Sequence, residues 1–319
     1  MKAIVLAGGY ATRMWPITRH RPKMLLPLGE GTVIGRILSQ LEVDERIDET
    51  YVSVNRRFAG EFETFLAASE FERPRVSVEE TESELEKLGV VGALGQLVER
   101  EGIDDDLLIV AGDNLLGFPM REFVDAFRKR EAPTIATYDV GDLEKASSYG
   151  LVEVTDGRVT SFQEKPENPG STLVSIACYA LPRDAIAFDE YLTHGNNPDE
   201  IGWFVQWLQA RQSVYTYSFD DVWYDIGSAE SYLDAVGWTL EGESVVAESA
   251  TVEDSTLEEN VHVMGGATVT DSRLRDTVVF PETEIENSEI GRSIVDQYAS
   301  ISDIELNDAL VGPYTSLNR

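Results

Sequence analysis

Apolar positions along the first 240 residues alternate between two spacings. Lys2 to Leu6, Thr50 to Val54, Arg75 to Val78, Leu107 to Ala111 and Thr134 to Tyr138 are short β-rich or continuously apolar runs. Between them, Val33 to Leu41, Phe58 to Ala68, Val91 to Arg100 and Met120 to Arg130 repeat their apolar residues at helical spacing. Such alternation predicts crossover units and a buried, mostly parallel sheet. After Tyr149 the rhythm changes: Leu151 to Val154, then Asp156-Gly157, then Val159 to Phe162 reads as a hairpin with a tight turn. Thr172 to Leu181 and Val214 to Phe219 are further strand candidates, and Asp199 to Arg211 and Ser228 to Thr239 read as helices, with Ser228 an N-cap.

Near Glu241 the pattern changes completely. Val246, Val252, Leu257, Val263, Val269, Leu274, Val279, Ile285, Ile290, Val295, Ile301, Leu306, Val311 and Leu317 follow one another in steps of 5 or 6, so that three steps span 16 or 17 residues. One inward apolar residue per short strand and three strands per turn describe an imperfect hexapeptide-like repeat, expected to stack as a short parallel β-helix. The expected organisation is therefore an α/β domain over residues 1–240, built on a Rossmann-like, mixed but mostly parallel sheet, followed by a β-helical repeat domain over 241–319.

Composition narrows the partners. Of 319 residues, 26 are Lys or Arg and 58 are Asp or Glu, a net charge of −32. Such a chain repels phosphate backbones and anionic lipid, which argues against nucleic-acid and membrane partners. No apolar run approaches the roughly 20 residues of a membrane span. A single cysteine, Cys178, fits a reducing, cytoplasmic setting. The acidity is densest after residue 240, and only six basic residues are lysines: Lys2, Lys23, Lys87, Lys129, Lys145 and Lys165. An acid-rich, lysine-poor surface suits a salt-rich cytoplasm, because at about 1 M salt the screening length is near 3 Å. A halophilic protein that needs molar KCl is the expectation.

The candidate chemistry begins after the first strand. In Leu6-Ala7-Gly8-Gly9-Tyr10-Ala11-Thr12-Arg13 the paired glycines let backbone N–H groups approach a phosphate or base, and Arg13 adds a cation. The spacing is neither that of the P-loop nor that of the dinucleotide fingerprint. Arg21-Pro22-Lys23-Met24-Leu25-Leu26-Pro27 then places a rare lysine between a rigid proline and an apolar run. The three histidines, His20, His194 and His262, form no metal-spaced cluster.

The segment Gly8-Gly9-x-x-Thr12-Arg13-x-x-Pro16-x-Thr18, followed by Pro22-Lys23-x-Leu25-Leu26-Pro27, resembles the signature of sugar-1-phosphate nucleotidyltransferases, the NDP-sugar pyrophosphorylases. Later segments resemble that family's motifs in order: Ala111-Gly112-Asp113-Asn114, Tyr149-Gly150-Leu151-Val152-Glu153, Glu164-Lys165-Pro166, and Trp223-Tyr224-Asp225-Ile226-Gly227-Ser228. The chain is most similar in this respect to glucose-1-phosphate thymidylyl- and uridylyltransferases carrying a C-terminal left-handed β-helix. The resemblance implies Mg²⁺-dependent transfer of a nucleotidyl group from an NTP, dTTP or UTP, to a hexose 1-phosphate such as glucose 1-phosphate. It also implies roles: Arg13, Lys23 and Lys165 as catalytic cations; Leu6, Gly8, Gly9, Thr12, Arg13 and Gly89 around the nucleotide; Gly150, Glu164, Lys165 and the backbone of Val174 around the sugar phosphate; and Asp113 and Asp225 on Mg²⁺.

Ala11 stands where that family usually has Gly, Met24 where several thymidylyltransferases carry Gln, and Ala177 where Gly is common. These departures leave base and sugar open, so a mannose-1-phosphate guanylyltransferase and a non-catalytic, nucleotide-sugar-binding regulatory homologue remain alternatives. The tail reads as an assembly or regulatory element, with a homo-oligomer expected; as an acyltransferase it has only His262 as a conventional base.

Overall fold

The computed structural model describes residues 1–9, 11–79 and 88–319. The chain divides into two compact units, one of residues 1–9, 37–112 and 116–223, the other of residues 10–36, 113–115 and 224–319.

The first unit is built on a nine-stranded mixed sheet. Its strands are β1 (Lys2–Leu6), β2 (Glu49–Val54), β3 (Pro74–Val78), β4 (Leu107–Ala111), β5 (Thr134–Asp139), β6 (Gly150–Thr155), β7 (Arg158–Glu164), β8 (Leu173–Leu181) and β9 (Tyr215–Ser218). In space they run β3-β2-β1-β4-β8-β5-β9-β7-β6. The first four are mutually parallel, with Ile4 opposite Tyr51 on one side and Ile109 on the other. Their uninterrupted apolar sequences follow from burial on both faces, and Ala3, Ile4, Val5 and Leu107 to Val110 have no exposed surface. β8 enters antiparallel to both β4 and β5. The hairpin β6–β7 turns through Asp156 and Gly157, both with positive φ (52° and 74°), the geometry of a tight hairpin turn. Helix Gly89–Glu101 packs with helices Phe188–Thr193 and Ile201–Gln209 over this sheet through Leu94, Leu97, Phe188, Phe204 and Leu208. Strand order reverses between β1 and β4, so the loops after these two strands leave from adjacent ends at a topological switch point, where open α/β sheets bind ligands.

In the second unit, helix Ala229–Leu240 starts at Ser228, whose hydroxyl accepts from the Ser231 amide in a capping box. Beyond it lie fourteen strands of two or three residues in three parallel sheets. Each of the fourteen apolar repeat positions falls on one of these strands, in register: Val246, Val263, Val279, Val295 and Val311 form one column, Val252, Val269, Ile285, Ile301 and Leu317 the second, Leu257, Leu274, Ile290 and Leu306 the third. Many corners are turned by Asp or Asn in the left-handed region, including Asp254, Asn260, Asp271, Asp276, Asn287, Asp303 and Asp308. These short polar residues tolerate that conformation, which accounts for part of the tail's acidity.

The three outer faces of this coil differ. Two carry mostly polar residues beside the inward ones, such as Glu253, Thr270, Glu286, Ser302 and Asn318, or Arg275 and Asn307. The third carries Val245, Val278, Ile294 and Leu310, which pack with Met14, Ile17, Leu26, Leu28, Tyr232 and Val236 of the same unit. His262 holds the remaining outer position, between Val245 and Val278, and is itself buried, so the sheet is covered on both sides.

Candidate functional site

The candidate residues fall into two groups, one in each unit. In the second unit the chain after the glycine loop makes a short turn, Thr12–Met14, with Thr12 and Arg13 exposed. Tyr10 of that loop lies outside the described residues. The turn is entered through Ala11, held in the left-handed region (φ 48°, ψ 44°), and its carbonyl accepts from the Thr18 hydroxyl at 2.7 Å. Lys23 opens a second short turn after Pro22. Its ammonium is paired with Asp113, and the two side chains are 11% and 19% exposed. The Ile226 amide donates to the Asp113 carbonyl at 3.0 Å, which sets Asp225 beside Asp113. A Cβ on Gly227 would lie 3.2 Å from Arg13 Nη2 and 3.6 Å from Asp225 Oδ1, so the missing side chain leaves room for both charged groups. Arg13, Lys23, Asp113 and Asp225, separated by up to 212 residues in sequence, thus form one charged cluster.

Two carboxylates among cations match the donors Mg²⁺ prefers, since it takes one or two carboxylates and keeps several waters. Among the described residues no three His, Cys, Asp or Glu side chains form a ready cage. The donor set fits a cation brought in with phosphate oxygens.

In the first unit, Leu6 ends β1 and its carbonyl accepts from the Gly112 amide at 2.8 Å. The Gly8 carbonyl accepts from Asn55 Nδ2 at 2.8 Å, and a Cβ on Gly8 would lie 2.3 Å from Glu79 Oε1. Gly9 is exposed beside it. Gly89 opens its helix at φ 70°, where a Cβ would fall 2.3 Å from the Pro198 carbonyl oxygen. The Val91 amide donates to that oxygen at 2.9 Å, so this helix start is engaged with backbone at 198.

The expected sugar-phosphate residues converge. Gly150 lies opposite Glu164 on β7 and Ser175 on β8, with Val174 opposite Leu151. The Glu164 carboxylate lies over two glycines: a Cβ would come within 2.9 Å of its Oε2 on Gly150 and 1.6 Å on Gly202. Burial raises its pKa to about 7, with Glu200 pushing the same way and Lys165 opposing. Lys165, itself at φ 45°, is paired with Glu200 and half-exposed. Tyr149 and Tyr138 set their rings edge-on to Trp223, at 5.0 and 5.7 Å.

One acid escapes sequence reading. Glu79 follows β3 and rests on the Gly8 backbone, accepting from the Ser53 hydroxyl at 3.4 Å, and burial raises its pKa. Its place at the carboxyl end of a parallel strand was the available signal.

Residues 2–241 match the nucleotidyl transferase family. The chain belongs to that family. It is 29% identical over 76% of its length to a UTP–glucose-1-phosphate uridylyltransferase of Synechocystis, and 28% identical over 91% to a glucose-1-phosphate thymidylyltransferase of Streptomyces griseus, covering 64% and 81% of those chains. Among the first curated relatives it matches, the chain spans 33% to 64% of their own length. Its fold is that of a UDP-glucose pyrophosphorylase solved with UDP-glucose, at a TM-score of 0.61 and 21% identity over 73% of this chain and 96% of that one. No helix among the described residues is long and apolar enough to cross a membrane.

Proposed function

We propose that this nucleotidyl transferase family member joins an NTP to a hexose 1-phosphate, giving an NDP-sugar and pyrophosphate, with dTTP or UTP and glucose 1-phosphate as the first pair to try. The observation that carries this reading is the cluster of Arg13 and Lys23 with Asp113 and Asp225. The reaction forms a bond from the sugar phosphate oxygen to the α-phosphorus and breaks the bond to the β-phosphate oxygen. Two anions must meet, so cations serve better than an acid or base. Lys23 balances the α-phosphate and Arg13 the departing pyrophosphate. Asp113 and Asp225 would hold Mg²⁺, which supplies charge neutralisation on the phosphates. The Lys23 ammonium, paired here with Asp113, would be free to face the substrate if Asp113 served as a metal ligand.

In the first unit, Lys165 addresses the sugar phosphate, Gly150 and the Val174 backbone leave room for the ring, and Glu164 meets a hydroxyl. Near neutrality Glu164 is available as either donor or acceptor. Leu6, Gly8, Gly9, Thr12 and Gly89 are assigned to the nucleotide. We further propose a salt-rich cytoplasm, a homo-oligomer, and residues 241–319 as a β-helical domain. The test is pyrophosphate release from a panel of NTPs and sugar 1-phosphates, with Mg²⁺, in dilute buffer and in molar KCl. Turnover with one preferred pair supports the reading. Binding of nucleotide sugars without turnover would favour the regulatory alternative, and preference for GTP with mannose 1-phosphate the guanylyl one.

A further inference from the structure

The coil's third face carries one feature that its packing does not require. Among its apolar outer residues stands Asp296, whose side chain is 1% exposed. It accepts from Arg21 Nη2 at 2.7 Å and from the Gln297 amide at 2.8 Å. The Arg21 guanidinium also lies over the Phe280 ring, 4.3 Å from its centroid. Phe280 and Asp296 are equivalent positions on successive coils: each follows the inward valine of its turn, and the Phe280 amide donates to the Val295 carbonyl at 2.9 Å. One coil further, the equivalent position is Gly312, where a Cβ would lie 2.9 Å from Pro16 Cγ. Three successive coils therefore present ring, carboxylate and bare backbone to residues 16–21.

A buried ion pair is poor glue. The desolvation of its charges offsets most of their attraction, and an apolar pair of similar volume would hold this face at least as well. What such a pair does supply is a single register. Arg21 is joined to Lys23 through Pro22, whose ring restricts φ, and the Leu25 and Leu26 amides close the turn onto the Pro22 and Lys23 carbonyls, each at 3.1 Å. Arg21 and Lys23 thus lie two residues apart on one short stiff segment, along which a shift of the guanidinium would reach the ammonium on Asp113.

We propose that Asp296 and Phe280 are positioning residues for Lys23, so that the β-helical tail helps to assemble the phosphate-handling cluster. This rests on the reading of Lys23 given above. A misplacement near 1 Å can cost about a hundredfold in rate, so Asp296→Asn, which weakens the seat without emptying it, is expected to lower kcat about tenfold and to leave both KM values within about twofold. Arg21→Lys, which leaves the tail untouched, should do the same. Asp303→Asn, which removes a tail carboxylate bonded to Asn287 on another corner, should be silent. In a Lys23→Ala background Asp296→Asn should have no further effect on kcat, because the two substitutions act through one group. An unchanged kcat in both Asp296→Asn and Arg21→Lys, or an equal additional loss in the Lys23→Ala background, overturns the proposal. Amide hydrogen exchange provides a readout independent of turnover: Asp296→Asn should accelerate exchange over residues 19–28 more than in the tail strands. If the unaltered protein turns over no substrate pair, the functional reading fails, while unaltered exchange over 19–28 would sink the positioning role by itself.

Discussion

The two charged regions treat their carboxylates in opposite ways. In the second unit Asp113 is neutralised by Lys23, and Asp296 by Arg21. In the first unit Glu164 lies over two glycines, Lys165 turns away to Glu200, and burial keeps a proton on the acid up to about pH 7. Pairing gives the carboxylate a cationic partner, which at Asp113 a metal ion would replace. Protonation keeps one neutral and ready to donate to a hydroxyl. The difference suits phosphate chemistry in one place and sugar recognition in the other.

Removing a carboxylate from the paired region should have the largest effect. Asp113→Asn or Asp225→Asn is expected to lower Mg²⁺-dependent pyrophosphate release by about a thousandfold, the scale of losing one group that stabilises transition-state charge. Asparagine keeps the shape, so the thermal midpoint should move little for Asp225→Asn, while Asp113→Asn also leaves the largely buried Lys23 ammonium without this partner and should lower it. Full activity in either variant would remove the metal assignment. Lys23→Ala should follow, with kcat reduced about a hundredfold; it also leaves Asp113 without this partner, so the midpoint should fall as well.

The other region is broken by volume before charge. Gly202→Ala would set a Cβ 1.6 Å from Glu164 Oε2, so the carboxylate must move. Overpacking of this kind costs about 1–3 kcal/mol, and KM for the sugar phosphate should rise while KM for the NTP holds.

Glu164→Gln sharpens the contrast through pH. The folded-state pKa of this acid, about 7, is above its ordinary value of 4.5, so between these pH values the folded chain binds more protons than the unfolded one. Stability therefore falls as pH rises from 4.5 through 7, and the penalty is complete above 7. Its upper bound is on the order of 3 kcal/mol. The glutamine variant should be more stable than the parent at pH 8, with a flatter midpoint between pH 5 and 8. Identical pH profiles would show that Glu164 is solvated.

Much of this was legible in the chain. The period of 5 or 6 marked the fourteen strand positions and their three columns, because each coil repeats the same local requirement; thirteen pack inside the coil, while Val246 of the first coil is exposed. The strands β1 and β4, the Asp156-Gly157 turn and the Ser228 cap were equally local signals. The insertion of β8 between β4 and β5 was not, since strand order is a non-local choice that leaves no periodicity. Nor was the docking of one coil face, although Val278, Ile294 and Leu310 just before inward valines were its trace. The ordered motifs pointed to Arg13, Lys23, Asp113 and Asp225 as the phosphate and metal residues. That Lys23 would rest on Asp113, or Glu79 on Gly8, required the fold.

The smallest effect belongs to the two alanines that stand where glycine is usual in the family's motifs. Ala11 and Ala177 both adopt the left-handed region, at φ 48° and 53°. Ala11 leads into the Arg13 turn of the paired region. Ala177 lies where β8 loses register with β5 between Ser175 and Tyr179, close to the protonated one. A left-handed alanine costs about 1 kcal/mol over glycine in the folded state, and glycine returns a similar amount by loosening the unfolded chain. Ala11→Gly and Ala177→Gly should each leave stability within about 0.5 kcal/mol of the parent. A β-branched valine at either position cannot relax this way and should destabilise by more, read as a lower thermal midpoint. If Ala11→Val lowers kcat at temperatures where it remains folded while Ala177→Val raises only KM for the sugar phosphate, the two regions are separable through their backbones as well as through their charges.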